Sequence, residues 1–299
     1  MSTTFERTST RVPFSLSRLF IGKPLATADA PHQTVGKLVG LAVFASDALS
    51  STAYSNQEAL IILIAAGTGA LSYSIPIVFA IVALLAIVTL SYEQTIHAYP
   101  DGGGAYIVAR DNLGELPALT AGAALLTDYI LTVSVSVSSG VAQIVSAYPD
   151  LFPYRVWICV AVILFIMLIN LRGVRESGIT FAIPTYFFLV MMLITVVVGV
   201  FRYLTGSLGM VVDPPQDMLT HAVVQPMTAF LLLKAFASGT TALTGVEAIS
   251  NGITAFKEPR SKNAGTTLIW MSLILGSFLV GIAVLSNAVG TLPSEEETI

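Results

Sequence analysis

The sequence predicts an all-α protein that crosses a membrane several times, and two observations lead to this prediction. Hydrophobic residues make up 55% of the 299 residues and charged residues only 11%, with a mean hydropathy of +0.81. An average soluble domain carries roughly 25% charged residues. So few charges cannot cover a soluble surface, so lipid must be the solvent for much of the chain. The second observation is a series of long apolar segments.

Crossing the hydrocarbon core takes about 20 mostly apolar residues, and seven segments meet this requirement. They cover residues 37–64, 73–98, 116–148, 154–171, 180–205, 223–253 and 264–288. The third and sixth are too long for an upright helix, so we expect tilt, a break or an interfacial extension in them. The predicted organisation is a cytoplasmic segment (1–36), a transmembrane core (37–288) and an acidic extracytoplasmic tail (289–299).

Positive charge predicts which side of the membrane the N-terminus faces. Residues 1–36 contain no apolar stretch of signal-peptide length, so we expect them to stay in the cytoplasm. With the N-terminus inside, the inner segments hold eleven of the 14 basic residues. These are Arg7, Arg11, Arg18, Lys23, Lys37, Arg110, Arg172, Arg175, Lys257, Arg260 and Lys262. Seven-helix receptors place their N-terminus outside, so this orientation disfavours a receptor.

The sequence offers little of what an enzyme needs. The single cysteine, Cys159, lies in an apolar run, and the three histidines are far apart. No nucleophile–base pair, metal cluster or cofactor motif is recognisable. The net charge of −4 suggests no nucleic-acid partner. We therefore expect neither an enzyme nor a bound cofactor.

Two of the seven segments look interrupted at mid-membrane depth. Residues 44–54 in the first and 236–245 in the sixth are rich in small hydroxyl residues, and transporters break helices around a site in this way. The two segments also share short, similar sequence strings. Phe-Ala-Ser occurs at 44–46 and 236–238, and Glu-Ala-Leu at 58–60 corresponds to Glu-Ala-Ile at 247–249. First and sixth segments are the expected partners in a repeat of five helices plus five.

Ionisable residues inside a bilayer are costly and indicate function, and the break in the first segment contains one. Asp47 and Tyr54 are seven residues apart, which is two turns on one helical face, with hydroxyl residues between them. The functional interpretation is an oxygen-lined cation site made of carboxylate, phenol, hydroxyls and freed carbonyls. The alternative is that Asp47 caps a broken half-helix.

The third segment carries a second set of polar residues on one face. Asp128, Thr132 and Ser136 follow an i, i+4, i+8 spacing, and Tyr129 lies beside Asp128. The alternative for the hydroxyl residues is close helix packing, the role expected for neighbours such as Ser139. A packing face does not need a carboxylate in hydrocarbon, so Asp128 is the strongest candidate here.

Other polar groups are less clear from sequence alone. Thr241 lies in a stretch with two glycines that reads as unwound, or as a glycine kink stabilised by threonine hydrogen bonds. Glu247 is a further intramembrane acid. Glu58 is expected near the outer end of its helix, and Lys234 is expected to snorkel or to pair with an acid that the sequence does not identify.

A glycine run follows the second segment at residues 100–104, Pro-Asp-Gly-Gly-Gly. It lacks the Gly-Lys-Ser/Thr ending of a phosphate-binding loop and follows no strand. We therefore expect a flexible cytoplasmic loop. Glu93, His97 and Asp101 are spaced by four residues, but the last lies in the glycine turn, so this set is a poor candidate for a metal triad.

Four strings carry a resemblance to a known family. They are PDGGGAY at 100–106, FASDALSSTAY at 44–54, TDYILTV at 127–133 and ALTGVEAISNG at 242–252. The chain resembles the amino acid–polyamine–organocation (APC) superfamily, and within it the proton-coupled KimA-type potassium importers, from about residue 35 onward. The resemblance implies a LeuT-like fold of two inverted five-helix repeats in the bacterial inner membrane, here ending after about seven helices.

The resemblance also implies a site and its regulation. K⁺ would be held near the midplane, between broken helices one and six and helix three, by Asp47, Tyr54, Asp128, Tyr129, Thr132, Ser136 and Thr241. K⁺ and H⁺ would be transported ions, so no cofactor is expected. A homodimer is implied, as is regulation by cyclic di-AMP through a soluble domain that the 299 residues do not include.

An amino acid permease of the same superfamily is the alternative function. Such carriers direct a glycine-rich break in helix one at the substrate carboxylate, using exposed N–H groups and the half-helix dipole. Here the break carries Asp47 and no glycine. An aspartate repels a carboxylate and suits a dehydrated cation, so the sequence favours the cation.

Proton coupling is expected to involve a carboxylate. Asp47 and Asp128 near one low-dielectric site should not both be ionised without a cation, because like charge and desolvation each disfavour ionisation. Cation and proton would then compete for the site. Asp47 and Glu247 are the two candidates for the coupled proton.

Overall fold

A computed structural model describes residues 34–171, 174–212 and 226–294 of the chain. The predicted cytoplasmic segment up to residue 33, the basic Arg172 and the acidic tail from residue 295 lie outside these residues. The fold described below therefore concerns the predicted transmembrane core.

The described ranges fold into α-helices joined by turns and short 3-10 stretches, and they contain no β-strand beyond one isolated bridge. This confirms the all-α prediction. The helices are α1 (Lys37–Phe44), α2 (Ser46–Ser50), α3 (Ser55–Leu63), α4 (Ser74–Ala98), α5 (Gly104–Leu113), α6 (Glu115–Ala147), α7 (Arg155–Asn170), α8 (Val174–Leu204), α9 (Ala229–Gly239), α10 (Ala248–Asn251) and α11 (Arg260–Val289).

Five helical stretches are long and apolar enough to cross a membrane. They are Thr68–Ala98, Glu115–Ala147, Pro149–Asn170, Gly178–Leu204 and Arg260–Val289, and they correspond to predicted segments two, three, four, five and seven. The third remains one unbroken helix of 33 residues. At 1.5 Å per residue it is about 50 Å long, so it tilts or extends beyond a hydrocarbon core of about 30 Å.

Segments one and six are broken, as the sequence predicts. In segment one, α1 ends at Phe44, α2 begins at Ser46, and a 3-10 turn over Ser51–Ala53 precedes α3. In segment six, α9 ends at Gly239 and a 3-10 turn over Thr240–Leu243 follows. The two 3-10 turns contact each other, so the two breaks meet at one place.

The buried core surrounds these two broken segments. Segment one contacts α8 through α1 and α9 through α3, while α4 packs against α9 and α11. The side chains of Leu49, Ile249 and Leu268 are fully buried where these elements meet. The broken segments are therefore held from several sides by continuous helices.

Segments one and six are joined at one end, which we call the Val35 end. The Val35 N–H donates to the Ala255 carbonyl at 2.8 Å, and the Lys257 N–H donates to the Val35 carbonyl at 3.0 Å. Phe44 and Phe256 stack beside this bridge with ring centroids 5.3 Å apart. Hydrogen bonds and an aromatic contact together close this end of the segment pair.

The helix α7 lies at the edge of the fold. None of its residues is buried, and it contacts α6 through a small apolar cluster that includes Val137, Val141 and Ile158. Its outward residues, such as Trp157, are largely exposed. This is the surface expected of a helix that faces lipid.

The stacked pair at the Val35 end generates a stability prediction. Phe256→Ala should lower the free energy of unfolding by about 3 kcal/mol, because Phe256 is fully buried and its removal leaves a cavity beside Phe44. Denaturation of the purified protein in detergent measures this difference. Phe230→Ala is the matched control, because Phe230 is 75% exposed; equal losses for the two variants would contradict the prediction.

Candidate functional site

Asp47 lies at the break of segment one and points at the third segment. It is in the first turn of α2, and the Ser136 hydroxyl of α6 donates to its Oδ1 at 3.0 Å. The start of α2 has no side-chain cap hydrogen bond, so the alternative in which Asp47 serves as a helix cap is not what the structure shows. The carboxylate instead links the two predicted halves of the site.

Tyr54 reaches the same place from the other end of the break. Its side chain is buried, and its hydroxyl interacts with the side chains of Ser136 and Thr244. The sequence predicts that Asp47 and Tyr54 share a face of one helix. In the structure both side chains point toward Ser136 of α6, as the shared face requires. The backbone between them is a short helix followed by a 3-10 turn and not one continuous helix.

The α6 face carries the remaining candidates of the third segment. Asp128, Thr132 and Ser136 are all half-buried on one side of the helix, whereas neighbours such as Val133 and Val135 are exposed. Asp128 lies about 12 Å along the helix axis from Ser136. This face therefore presents a line of oxygen atoms to the broken segments.

Three carboxylates share this region. Asp47, Asp128 and Glu247 interact electrostatically with one another. Glu247 is only 9% exposed, and its Oε1 has no hydrogen-bond partner among the described residues. The region where the two broken segments meet α6 is thus acidic.

The approach of segment six to Asp47 depends on one glycine. Gly245 has a φ of +82°, and a Cβ atom at this position would lie 2.6 Å from Asp47 Oδ2 and 3.2 Å from the Ala48 nitrogen. A side chain at position 245 would collide with Asp47 and Ala48 and push segment six away from segment one. The positive φ also favours glycine, because other residues rarely adopt it. Gly245 therefore sets how closely segment six approaches the carboxylate.

The hydroxyl residues of the breaks bond mainly to backbone. Ser50, Thr52 and Thr241 each donate to a carbonyl three residues earlier, at 2.7 to 2.9 Å. The Ser51 hydroxyl lies 2.6 Å from the Ala48 carbonyl oxygen and 3.1 Å from that of Ala242 in segment six. These hydroxyls stabilise the unwound backbone, and their oxygens keep lone pairs that can face an ion.

Tyr129 has a different surrounding from the other predicted ion ligands. Its hydroxyl accepts a hydrogen bond from the Asn251 side chain at the end of α10. The electrostatic neighbours of Tyr129 are Glu247, Asp128 and, as the weakest of the three, Asp47. The structure therefore brings Tyr129 to segment six, on the side of Glu247 that leads to the Val35 end.

Comparison with known proteins places this arrangement in a family. The sequence profile of a family described as amino acid permease matches residues 35–298. The chain belongs to the amino acid permease family. This family, part of the APC superfamily, consists of membrane transporters and not of enzymes, so the expected class is confirmed.

One curated relative covers almost the whole of this permease-family chain. The potassium transporter KimA of Bacillus subtilis (strain 168) is 48% identical over 285 residues, which is 95% of this chain and 46% of the relative. The chain thus spans about half the length of that relative. The predicted resemblance to KimA-type proteins is confirmed.

Three residues near this site were not among the predicted ion ligands, although the sequence places two of them, Thr244 and Gly245, in the unwound stretch of segment six. Thr244 contacts Tyr54, Gly245 approaches Asp47, and Tyr92 of α4 lies in electrostatic range of Glu247. Thr244 follows Thr241 by three residues, a spacing that could have indicated a shared role. Tyr92 carries no such signal, because only the packing of α4 brings it near.

Other polar candidates lie outside the site. Lys234 is exposed on α9 and forms no ion pair with the part of the chain that the structure describes. His97 and Glu93 form an exposed pair with 3.2 Å between Nδ1 and Oε1, and no group of potential metal ligands occurs within residues 34–171, 174–212 and 226–294.

The glycine run forms a tight turn packed against Asn251 rather than the flexible loop that we expected.

The bond between Asp47 and Ser136 generates a second prediction. Ser136→Ala should lower the free energy of unfolding in detergent by about 1–2 kcal/mol, because it removes a hydrogen bond to a half-buried carboxylate. Ser134→Ala is the control on the same helix, since the exposed Ser134 hydroxyl donates only to the Ile130 carbonyl. If both variants unfold alike, the bond contributes nothing to joining the segments.

Proposed function

We propose that this chain forms the ion-binding part of a secondary active transporter that imports K⁺ together with H⁺. The observation that carries this proposal is the position of Asp47. Its carboxylate lies where segments one and six are both unwound, bonded to Ser136 of α6 and approached by the backbone at Gly245. A negative charge at this point favours a cation over an anion.

The surrounding groups supply the oxygens that an alkali cation needs. We assign K⁺ to an oxygen-lined region formed by one carboxylate of segment one, another of α6, and neighbouring hydroxyls. Because Asp128 and Ser136 lie about 12 Å apart along α6, these oxygens serve more than one ion position. The K⁺ ligands would be Asp47, Tyr54, Asp128, Thr132, Ser136 and Thr241, whereas Tyr129 bonds to Asn251 and is not assigned to the ion. Oxygen ligands of this kind replace the hydration shell of an alkali ion, and no cofactor is needed for that binding.

The name of the relative supports K⁺ as the ion. The chain is 48% identical over 285 residues to a protein named a potassium transporter, and it carries acids where we place the ion. The relative is about twice as long, so transport by the whole protein remains part of the proposal. We extend the proposal to a homodimer in the bacterial inner membrane, with the N-terminus in the cytoplasm and control by cyclic di-AMP through a further domain.

An amino acid permease is the second candidate, since the family carries that description. Binding of an amino acid carboxylate requires free N–H groups at a half-helix start. The first turn of α2 carries the Asp47 carboxylate, which would repel the substrate carboxylate. This argument favours the cation.

Proton coupling follows from the three carboxylates. A coupled proton needs a carboxylate close to the ion, and Asp47, Asp128 and Glu247 interact electrostatically with one another. Asp47 accepts a hydrogen bond from the Ser136 side chain, which suits an ionised ligand. The Glu247 carboxyl interacts with the backbone N–H groups of Glu247 and Gly245, and its Oε1 has no hydrogen-bond partner among the described residues. We therefore assign the proton to Glu247 in preference to Asp47.

Uptake tests the cation and the site together. The full-length gene product should restore growth of a potassium-uptake-deficient bacterium at low external K⁺, and Asp128→Asn should reduce Rb⁺ uptake at least about tenfold, the equivalent of about 1.4 kcal/mol. Ser139→Ala is the control on the same helix and should transport normally. Amino acid uptake without Rb⁺ flux would refute the function, and equal activity of the two variants would remove Asp128 from the site.

The pH dependence of uptake tests the coupling. Glu247→Gln should flatten the pH profile of Rb⁺ uptake, because it removes the proton carrier but not an ion ligand. Asp47→Asn should instead weaken the apparent affinity for Rb⁺. A normal Rb⁺ affinity together with an unchanged pH profile in Asp47→Asn would show that Asp47 is neither an ion ligand nor the proton carrier. An unchanged pH profile in Glu247→Gln would show that another group carries the proton.

A further inference from the structure

The glycine turn after α4 and the end of segment six form a junction that the proposed ion site does not use. Its centre is Asn251, the last residue of α10. The side-chain Nδ2 of Asn251 donates to the Tyr129 hydroxyl of α6. A helix of only four residues has little stability of its own, so α10 depends on such contacts for its position.

The glycine turn is shaped around Asn251. Gly102 and Gly104 have φ values of +83° and +45°. A Cβ at Gly102 would lie 3.0 Å from the Asn251 carbonyl oxygen, and one at Gly104 would overlap the Asn251 Oδ1 atom. Both glycines therefore provide a conformation and a space that a side chain would remove. The glycine turn at residues 100–104 therefore forms a recess that holds Asn251, and we call this recess the socket.

The junction lies between the carboxylates and the Val35 end. The Asn251 N–H donates to the Glu247 carbonyl at 3.0 Å, one turn earlier, and the Val35 bridge is formed by Ala255, one turn later. Tyr129 is in turn the neighbour of Asp128. A displacement of α10 that opens a path from the acidic region to the Val35 end must therefore withdraw Asn251 from both Tyr129 and the socket.

We propose that Asn251 and Tyr129 form a latch that holds the Val35 end of the ion pathway closed. In this role, which rests on the proposed function, Tyr129 is a positioning residue and does not ligate the ion. The glycine turn acts as the fixed part of the latch, because it connects two continuous helices, α4 and α5. Release of the latch frees α10 while the Asp47 region stays intact.

Thiol labelling tests the latch without requiring transport. Ser250 is fully buried beside Asn251. In a background without Cys159 and without any other native cysteine, Ser250→Cys therefore reports opening of α10 to a water-soluble maleimide. The full-length protein is labelled in membrane vesicles of both orientations. Asn251→Leu and Tyr129→Phe should each raise the labelling rate roughly three- to tenfold, which corresponds to the loss of one hydrogen bond. The double variant should match the single ones, because both remove the same bond.

Calorimetric K⁺ binding separates a latch from a ligand. In Tyr129→Phe the K⁺ affinity should stay within about twofold while labelling accelerates, whereas a ligand would show weaker binding with unchanged labelling, and that result would overturn the proposal. Faster labelling in a protein that binds no K⁺ would support the latch and refute the proposed function instead.

A matched pair of glycines controls for backbone strain. Gly102→Ala should accelerate labelling as Asn251→Leu does. Gly114 has a similar φ of +94°, but a Cβ there would meet no atom within 4 Å, so Gly114→Ala should leave labelling unchanged. Equal acceleration by both alanines would show general destabilisation and would overturn the role of the socket.

Discussion

The structure depends on satisfying the hydrogen bonds of two unwound backbones. Inside hydrocarbon an unpaired carbonyl or N–H group costs several kcal/mol, so a transporter can break a helix only where other groups replace the lost bonds. Here Ser50, Thr52 and Thr241 donate to carbonyls three residues earlier, and Ser51 also reaches Ala242 of the other break. The two breaks therefore stabilise each other, and the acidic side chains are placed at their contact.

Much of this arrangement could be predicted from the sequence, because its signals are local. Apolar length predicts the five long helices, and hydroxyl-rich interruptions predict the breaks. The i, i+4, i+8 spacing predicts the face of α6 that carries Asp128, Thr132 and Ser136. A carboxylate in an apolar segment has few roles, so Asp47 was also identifiable. Its contact with Ser136 follows from two such local signals that converge.

The rest of the site could not be predicted because it arises from contacts between distant segments. Gly245 is informative only once the Asp47 carboxylate is known to lie against it. Asn251 has no distinctive spacing, and its partners lie on α6 and in the turn after α4. The sequence predicts a flexible loop at residues 100–104, whereas in the structure these glycines leave space for a side chain more than 140 residues away in the sequence.

The unbroken length of α6 has an electrical consequence. Asp128 and Ser136 lie on one rigid helix, separated by eight residues or about 12 Å along its axis. That distance is up to about two-fifths of a hydrocarbon core of about 30 Å. A monovalent charge that moves between these two levels would cross a similar share of the membrane potential, which is worth up to about 0.9 kcal/mol per 100 mV. Occupancy along this helix would thus respond to voltage, even with no change in the protein around it.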